Sequence, residues 1–162
     1  KSYGLSVDTC AGVIAALSPN NRWERNIIDA ENIITAWRHG EDADVLAIKC
    51  CTYHKMKEKA LTILNSSKPI DELLNGPKII EFFNCITMTK DDVCIDGHAY
   101  SVWFGSRLTM KDVPNIGIKL RAKIKQDYRD ATTFINEELL TEYRPSDVQA
   151  ITWVTHKRIH NV

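Results

Sequence analysis

The stretch that decides the fold is LLNGPKIIEFFN, residues 73–84. It holds two apolar segments separated by Asn75-Gly76-Pro77, a combination typical of a tight turn. Pro77 suits the first position of a helix, because its fixed φ and its missing N–H cost little there. The sequence therefore predicts a short helix, a glycine turn and a second helix over residues 78–86. A turn of this kind points backbone N–H groups outward, where they can bind a phosphate.

Helical patterns continue on the N-terminal side of this turn. Residues 7–17 form a short apolar segment that Ser18-Pro19 ends, and residues 53–64 form another helical segment. Between them, residues 23–37 carry apolar side chains at intervals of three and four, and we expect Asp29 on the opposite, polar face. The apolar stripe consists of Trp23, Ile27, Ala30, Ile34 and Trp37. We expect its tryptophans to pack in the core.

The C-terminal half is also predicted to be helical. We interpret the apolar residues 93–95 as an extended entry to a helix over residues 98–104, rather than as a strand. A long helix is predicted over residues 116–134, and a last helix begins after Pro145, where Ser146 and Gln149 match a capping box. The members of that match are three positions apart, as the motif requires. Because alternating residues of high strand propensity are not concentrated anywhere, we predict an all-α fold.

Composition limits the classes of function. The chain of 162 residues fits one domain or two small lobes, and its 21 Lys and Arg equal its 21 Asp and Glu. A net charge of zero argues against nucleic-acid binding through overall charge, but it allows a local basic face. Five cysteines without metal-site spacing favour reduced thiols and no metal site. Since no apolar run approaches ~20 residues and no signal peptide is visible, we expect no membrane contact and a cytoplasmic or nucleoid-associated protein.

Two further segments carry candidate chemistry. In VCIDGHAYSVWFG, residues 93–105, Asp96 stands at the start of a predicted helix, eighteen positions after Lys78. In AALSPNNRW, residues 15–23, a helix ends in a polar turn. Together with Gly76-Pro77-Lys78, these segments resemble the helix-hairpin-helix DNA glycosylases, closest to the endonuclease-III type. In that family a Gly-x-Lys hairpin precedes an Asp-x-His helix start at this interval, and the resemblance covers about residues 10–160.

The resemblance implies an all-α fold of two lobes with a cleft. Residues 20–104 are expected to form the middle helical lobe, and residues 1–19 with 105–162 the second. The implied function is a DNA base-excision N-glycosylase, with AP-lyase activity as an option. It acts on a damaged or modified base flipped out of double-stranded DNA. We expect such a protein to be a monomer and to need no cofactor and no metal.

The same resemblance assigns roles to individual residues. Asp96 corresponds to the carboxylate that stabilises positive charge on the sugar during glycosidic cleavage. Lys78 corresponds to the amine that attacks the sugar and forms a Schiff base. The residues expected to contact DNA are Asn20, Asn75, Gly76, Lys55 and Lys57. The residues expected to orient the site or line its pocket are His98, Tyr100 and Trp23.

Simpler roles compete with these assignments. Asp96 is also a good helix N-cap, Lys78 is also typical of a solvated helix surface, and His98 suits a structural hydrogen bond. The turn departs from the family's Leu-Pro-Gly-Val-Gly hairpin, since Pro77 removes one backbone donor. Two other functions stay open. One is a phage-type transferase that modifies a DNA base on the same fold, and the other is a non-catalytic module that binds DNA or protein.

Overall fold

The computed structural model describes residues 4–88 and 90–161. Within these ranges the chain forms nine helices and no strand, which confirms the all-α prediction. The helices are α1 (Val7–Leu17), α2 (Trp23–His39), α3 (Asp42–Ala47), α4 (His54–Asn65), α5 (Ile70–Leu73), α6 (Pro77–Thr87), α7 (Gly97–Phe104), α8 (Ile118–Leu139) and α9 (Pro145–His160). None of the helices in the described part has the length and apolar character of a membrane span.

The chain divides into two compact units, Lys1–Thr87 and Met88–Val162. The first unit holds α1 to α6, and the second holds α7, α8 and α9. This division differs from the expected lobes, which joined residues 20–104 in one lobe and residues 1–19 with 105–162 in the other. Two assignments change: α1 belongs with α2 to α6, and α7 belongs with α8 and α9.

The first unit is built around α1, and the packing of this helix explains why it belongs there. Val13 and Leu17 are completely buried, and α1 packs against α2, α4 and α6. Its small residues allow a close approach, since a Cβ at Gly12 would lie 2.7 Å from Cγ2 of Ile70. Burial of this apolar surface is the main favourable term in the packing of the unit.

The buried face of α2 is rotated relative to the predicted stripe. Its buried members are Asn26, Asp29, Ala30, Ile33 and Ile34. Trp23 is 51% exposed and Ile27 is 36% exposed. The expectation that Trp23 packs in the core is therefore wrong, and so is the expectation that Asp29 lies on the polar face.

Asp29 is buried because its carboxylate is fully used by neighbouring donors. Oδ2 accepts a hydrogen bond from Nδ2 of Asn21 at 3.0 Å and another from the backbone N–H of Cys51 at 2.9 Å. Oδ1 accepts from Nε of Arg25 at 2.8 Å, within an ion pair on the same helix. A buried carboxylate is tolerated when it is paired and hydrogen-bonded in this way. The Asp29 carboxylate therefore connects α2 to the loop after α1 and to the segment before α4.

A short acidic helix, α3, connects α2 to the segment before α4. The side chain of Asp44 accepts a hydrogen bond from the backbone N–H of Glu41 at 2.9 Å and so caps the start of the helix. Val45 is completely buried and anchors the helix in the core. At its other end, Nζ of Lys57 donates to the carbonyl oxygens of Leu46 and Ile48, at 2.6 and 2.9 Å.

The second unit packs α7, α8 and α9 around the extended segment 93–95, as predicted without a strand. The side chain of Gln149 in α9 pairs with the backbone of Cys94 in this segment. The Cys94 N–H donates to Oε1 of Gln149 at 3.0 Å, and Nε2 donates back to the Cys94 carbonyl at 2.6 Å. The segment therefore satisfies its backbone groups through a side chain in place of a neighbouring strand.

This use of Gln149 overturns the predicted capping box. The helix α9 begins one residue earlier, with Pro145 in its first turn and Arg144 as the N-cap. Asp147, rather than Gln149, accepts the hydrogen bond from the N-cap N–H, at 2.9 Å. Together with the Arg144 guanidinium, this bond lowers the pKa of the Asp147 carboxyl below its ordinary value.

We predict that Asp29→Ala destabilises the first unit by about 3 kcal/mol, because hydrogen bonds to a charged acceptor are lost and buried donors are left without a partner. Asp8→Ala is the control, since Asp8 is an exposed residue in the first turn of α1, and it is expected to change stability by less than about 1 kcal/mol. Chemical denaturation followed by circular dichroism measures both changes. Equal stabilities of the two variants would contradict the role of Asp29.

Candidate phosphate and base-excision site

The turn between α5 and α6 has the backbone geometry expected of the glycine turn. Gly76 has a φ of +90°, a left-handed conformation that favours glycine, and a Cβ there would meet no atom within 4 Å. The N–H of Ile80 donates to the Gly76 carbonyl at 3.2 Å and begins the helical hydrogen bonding of α6. The first turn of α6 forms the positive end of the helix dipole, and backbone N–H groups point out of the helix there.

A cavity of about 460 Å³ lies beside this turn in the first unit. Its polar lining comes from Lys55 and Lys59 of α4 and from Asn75 and Gly76 of the turn. Its apolar lining comes from Ala16, Met56, Leu74 and Ile79. The structure thus brings together three of the five residues expected to contact DNA.

Lys59 completes this cavity and was not among the predicted DNA contacts. Lys55 and Lys59 are four positions apart, so they lie on one face of α4. This spacing is the signal that identifies Lys59 from the sequence. Lys57, which was predicted as a DNA contact, lies on another face and caps the end of α3 through its ammonium group.

The structure places Asn20 at the exposed tip of the loop between α1 and α2. Its φ is +56°, a left-handed conformation that asparagine adopts more readily than most residues. The flanking residues hold the loop: Nδ2 of Asn21 donates to Asp29, and Oγ1 of Thr52 donates to the Pro19 carbonyl at 2.7 Å. Asn20 is therefore presented to solvent by a fixed backbone.

Lys78 and Trp23 both contribute to the exposed surface of the first unit. Trp23 packs edge-to-face against Phe82 of α6, with ring centroids 6.2 Å apart. Lys78 precedes Phe82 by one turn of α6 and is exposed. Burial is one way in which a protein turns a lysine amine into a nucleophile. Lys78 is exposed, so burial does not activate its amine.

Asp96 belongs to the second unit, where it is the N-cap of α7. Its Oδ1 accepts a hydrogen bond from the backbone N–H of Ala99 at 2.8 Å, so the cap role is present. The carbonyl of the preceding residue, Ile95, accepts from Nη1 of Arg121 at 2.9 Å. These bonds fix the backbone and one carboxylate oxygen of Asp96.

The pKa of Tyr128 in α8 depends in part on the charge of Asp96. Burial, and to a lesser extent the Asp96 carboxylate, raises the pKa of the Tyr128 phenol to about 12. The phenol donates to the carbonyl of Ala99 at 3.2 Å, in the same turn that Asp96 caps. The start of α7 therefore combines a carboxylate with a buried neutral phenol.

His98 and Tyr100 occupy different environments in the second unit. His98 is half-buried, and its ring packs against Trp153 of α9 with centroids 6.0 Å apart. Tyr100 is 8% exposed and lies in the core, with ring contacts to Trp103 and Phe104. The packing of Tyr100 is that of a core residue rather than of a pocket wall.

The cysteines and acidic groups do not assemble a metal centre in the described residues. Within residues 4–88 and 90–161, no group of three His, Cys, Asp or Glu side chains is placed to hold a metal ion. The five cysteines are thiols, none of them in a disulfide within this part of the chain. Burial, with the nearby charge of Asp29, raises the pKa of Cys50 to about 11 and keeps it protonated at neutral pH.

We predict that the second unit loses stability as the pH rises above 10. The phenol of Tyr128 ionises near pH 10 in an unfolded chain and near pH 12 in the fold, so its contribution is complete below pH 10 and is lost as the pH passes 12. The loss of stability amounts to about 3 kcal/mol, since each pKa unit corresponds to roughly 1.4 kcal/mol. Tyr128→Phe is expected to remove this part of the alkaline transition.

The effect of the Asp96 charge on the Tyr128 pKa gives a second testable prediction. Asp96→Asn keeps a good N-cap but removes the charge, so the Tyr128 pKa is expected to fall. Spectrophotometric titration of the tyrosines measures it, with Asp91→Asn as the control at an exposed position. An unchanged titration in Asp96→Asn would contradict the proximity of the two groups.

Comparison with known proteins gives one assignment. Residues 1–161 match the model of a family of unknown function, DUF7178. Neither the curated proteins nor the solved structures contain a match to the chain. Because the family model spans almost the whole length, the chain belongs to the DUF7178 family.

Proposed function

We propose that this protein is a DNA base-excision N-glycosylase that holds a backbone phosphate of double-stranded DNA at the α5–α6 turn. The observation that carries the proposal is the cavity beside this turn. Lys55, Lys59 and the start of α6 converge there on a space of about 460 Å³. A phosphate in this position would accept hydrogen bonds from backbone N–H groups and interact with two ammonium groups.

The composition of the cavity favours an anion. The first turn of α6 consists of Pro77, Lys78, Ile79 and Ile80, so the positive end of the helix dipole is not offset by an acidic side chain of this turn. The apolar lining lowers the local dielectric constant, which strengthens the attraction between Lys59 and a phosphate. This local basic site is compatible with the zero net charge of the chain.

The contact between the exposed Trp23 and the half-buried Phe82 supports the part of the proposal that concerns the base. An exposed aromatic ring offers a stacking surface for an unpaired base, worth roughly 1–3 kcal/mol per base. Trp23 presents about half of its surface to solvent in the same unit as the cavity. We therefore assign Trp23 as a stacking residue for a base extruded from the duplex.

Asp96 is the residue that we propose for the chemical step. A fixed carboxylate stabilises the positive charge that develops on the sugar as the glycosidic bond breaks. The N-cap hydrogen bond to Ala99 fixes the Asp96 carboxylate, as this role requires. The proposal retains the two-lobed helix-hairpin-helix fold with a cleft, and His98 as an orienting residue, as predictions of the resemblance.

A second candidate function is a DNA-binding module without catalysis. The exposure of Lys78 favours it, since that position does not bury the amine that the lyase reaction would use. The phage-type transferase that modifies a base uses the same fold and stays a prediction of the resemblance. The three candidates share DNA as the partner and differ in the fate of the base.

The phosphate contact predicts a specific effect on DNA binding. The double variant Lys55→Gln/Lys59→Gln is expected to bind an undamaged duplex about 10-fold more weakly and to lower the slope of log affinity against log salt by about 2. Fluorescence anisotropy with a labelled duplex measures both quantities. Lys49→Gln/Lys68→Gln removes the same charge from exposed positions of the same unit and is expected to bind normally. If the two double variants weaken binding equally, the cavity is not the contact.

The chemical step predicts a different effect. With duplexes carrying deaminated, oxidised or alkylated bases, Asp96→Asn is expected to reduce base release about 100-fold while keeping the helix cap. Asp91→Asn serves as the control. Borohydride trapping that disappears in Lys78→Ala would establish the lyase step. Binding of every duplex without release of any base would contradict the glycosylase and support the module.

A further inference from the structure

A cationic surface lies in the second unit and includes His98. It comprises His98 of α7, Arg107 after α7, and His156, Lys157 and His160 of α9, and we name it the histidine surface. The rings of His156 and His160 have centroids 4.4 Å apart. Nζ of Lys157 lies 4.9 Å from the ring centroid of Trp153, which also packs against His98.

The charges in this surface act against one another. Burial lowers the pKa of His156 below its ordinary value, and the charges of His160, His98 and Arg107 lower it further. These three groups come from α9, from α7 and from the loop that follows α7. The helix α8 adds Tyr128. Its phenol interacts through a side-chain hydrogen bond with Thr152, which lies one turn before His156 in α9. Asp96 lies two residues before His98, caps α7 and acts on Tyr128.

Helix electrostatics explain only part of this arrangement. Basic residues in the last turn of α9 complement the negative end of its dipole, which accounts for Lys157, Arg158 and His160. His98 stands in the first turn of α7, and Arg107 follows the end of that helix, so neither is explained by the α9 dipole. Tertiary packing gathers these basic groups, and their mutual repulsion opposes the protonation of His156, an effect that a bound polyanion would offset.

We propose that the histidine surface binds the phosphate backbone of double-stranded DNA and takes up protons when it does so. The choice of DNA rests on the proposed function, and the inference adds a second contact and a pH dependence to it. Imidazolium, guanidinium and ammonium groups all donate hydrogen bonds to phosphate oxygens. Half-buried and exposed positions leave these groups accessible to a duplex.

The sign of the pH dependence follows from the charges. In the free protein the neighbouring cations favour the neutral form of His156. A phosphate beside the ring favours the imidazolium form, so the pKa of His156 rises on binding. By linkage, the DNA affinity increases as the pH falls from 8 to 6.

The test is fluorescence anisotropy of the full chain with a short, undamaged, labelled duplex at pH 6 and pH 8 and constant ionic strength. The wild-type protein is expected to bind roughly 10-fold more tightly at pH 6. In His156→Gln/His160→Gln the ratio of the two affinities is expected to fall below roughly 2. The matched control is His39→Gln/His54→Gln, which removes two histidines of the first unit and keeps the wild-type ratio. Circular dichroism checks that each variant is folded.

Two results would overturn the inference. One is a wild-type affinity that does not change between pH 6 and pH 8, or a change that persists in His156→Gln/His160→Gln. The other is binding to phosphatidylserine vesicles without binding to the duplex, which would assign the surface to a membrane headgroup. Failure of the glycosylase proposal appears separately, as intact bases in duplexes whose binding still depends on pH and on the two α9 histidines.

Discussion

The first unit depends on the buried carboxylate of Asp29. It binds the loop after α1 through Asn21, its own helix through Arg25, and the segment before α4 through the Cys51 N–H. Since α4 carries the lysines of the cavity and α1 contributes Ala16 to its wall, this group helps to position two of the elements that line the candidate phosphate site. Removing it would leave donors buried without an acceptor, so the geometry of the site and the stability of the unit are linked.

Both units use side chains to satisfy backbone groups where regular structure ends. Lys57 caps the last carbonyls of α3, and Gln149 pairs with both backbone groups of Cys94. The basis of the proposed function is the start of α6, because the positive end of this helix lies beside a cavity lined by lysines. In the second unit, Asp96 caps α7 and raises the pKa of Tyr128, so its carboxylate has a structural role.

Local signals in the sequence predicted the positions of the helices well. They predicted poorly which side chains and helix faces contact one another. Pro77 and Gly76 located the start of α6, and Ser18-Pro19 located the end of α1, because proline and glycine restrict the backbone wherever they occur. The burial of Asp29 was not predictable, since its donors Asn21 and Cys51 come from segments that meet it only in the folded chain. The same reason applies to Lys57 and Lys59. Helical spacing places them on different faces of α4, but the sequence does not show which face lines the cavity. In the folded chain, Lys57 contacts the end of α3 and Lys59 lies beside the glycine turn.

The proposed function depends most on the binding of a DNA phosphate by backbone N–H groups of the α5–α6 turn. The most direct measurement is a ¹H–¹⁵N correlation spectrum of the labelled protein during titration with a short undamaged duplex. We predict that the amide resonances of Gly76, Lys78 and Ile79 shift early in the titration, reach saturation, and shift less at high salt. A titration in which DNA binds and shifts other amides while these three stay in place would contradict it.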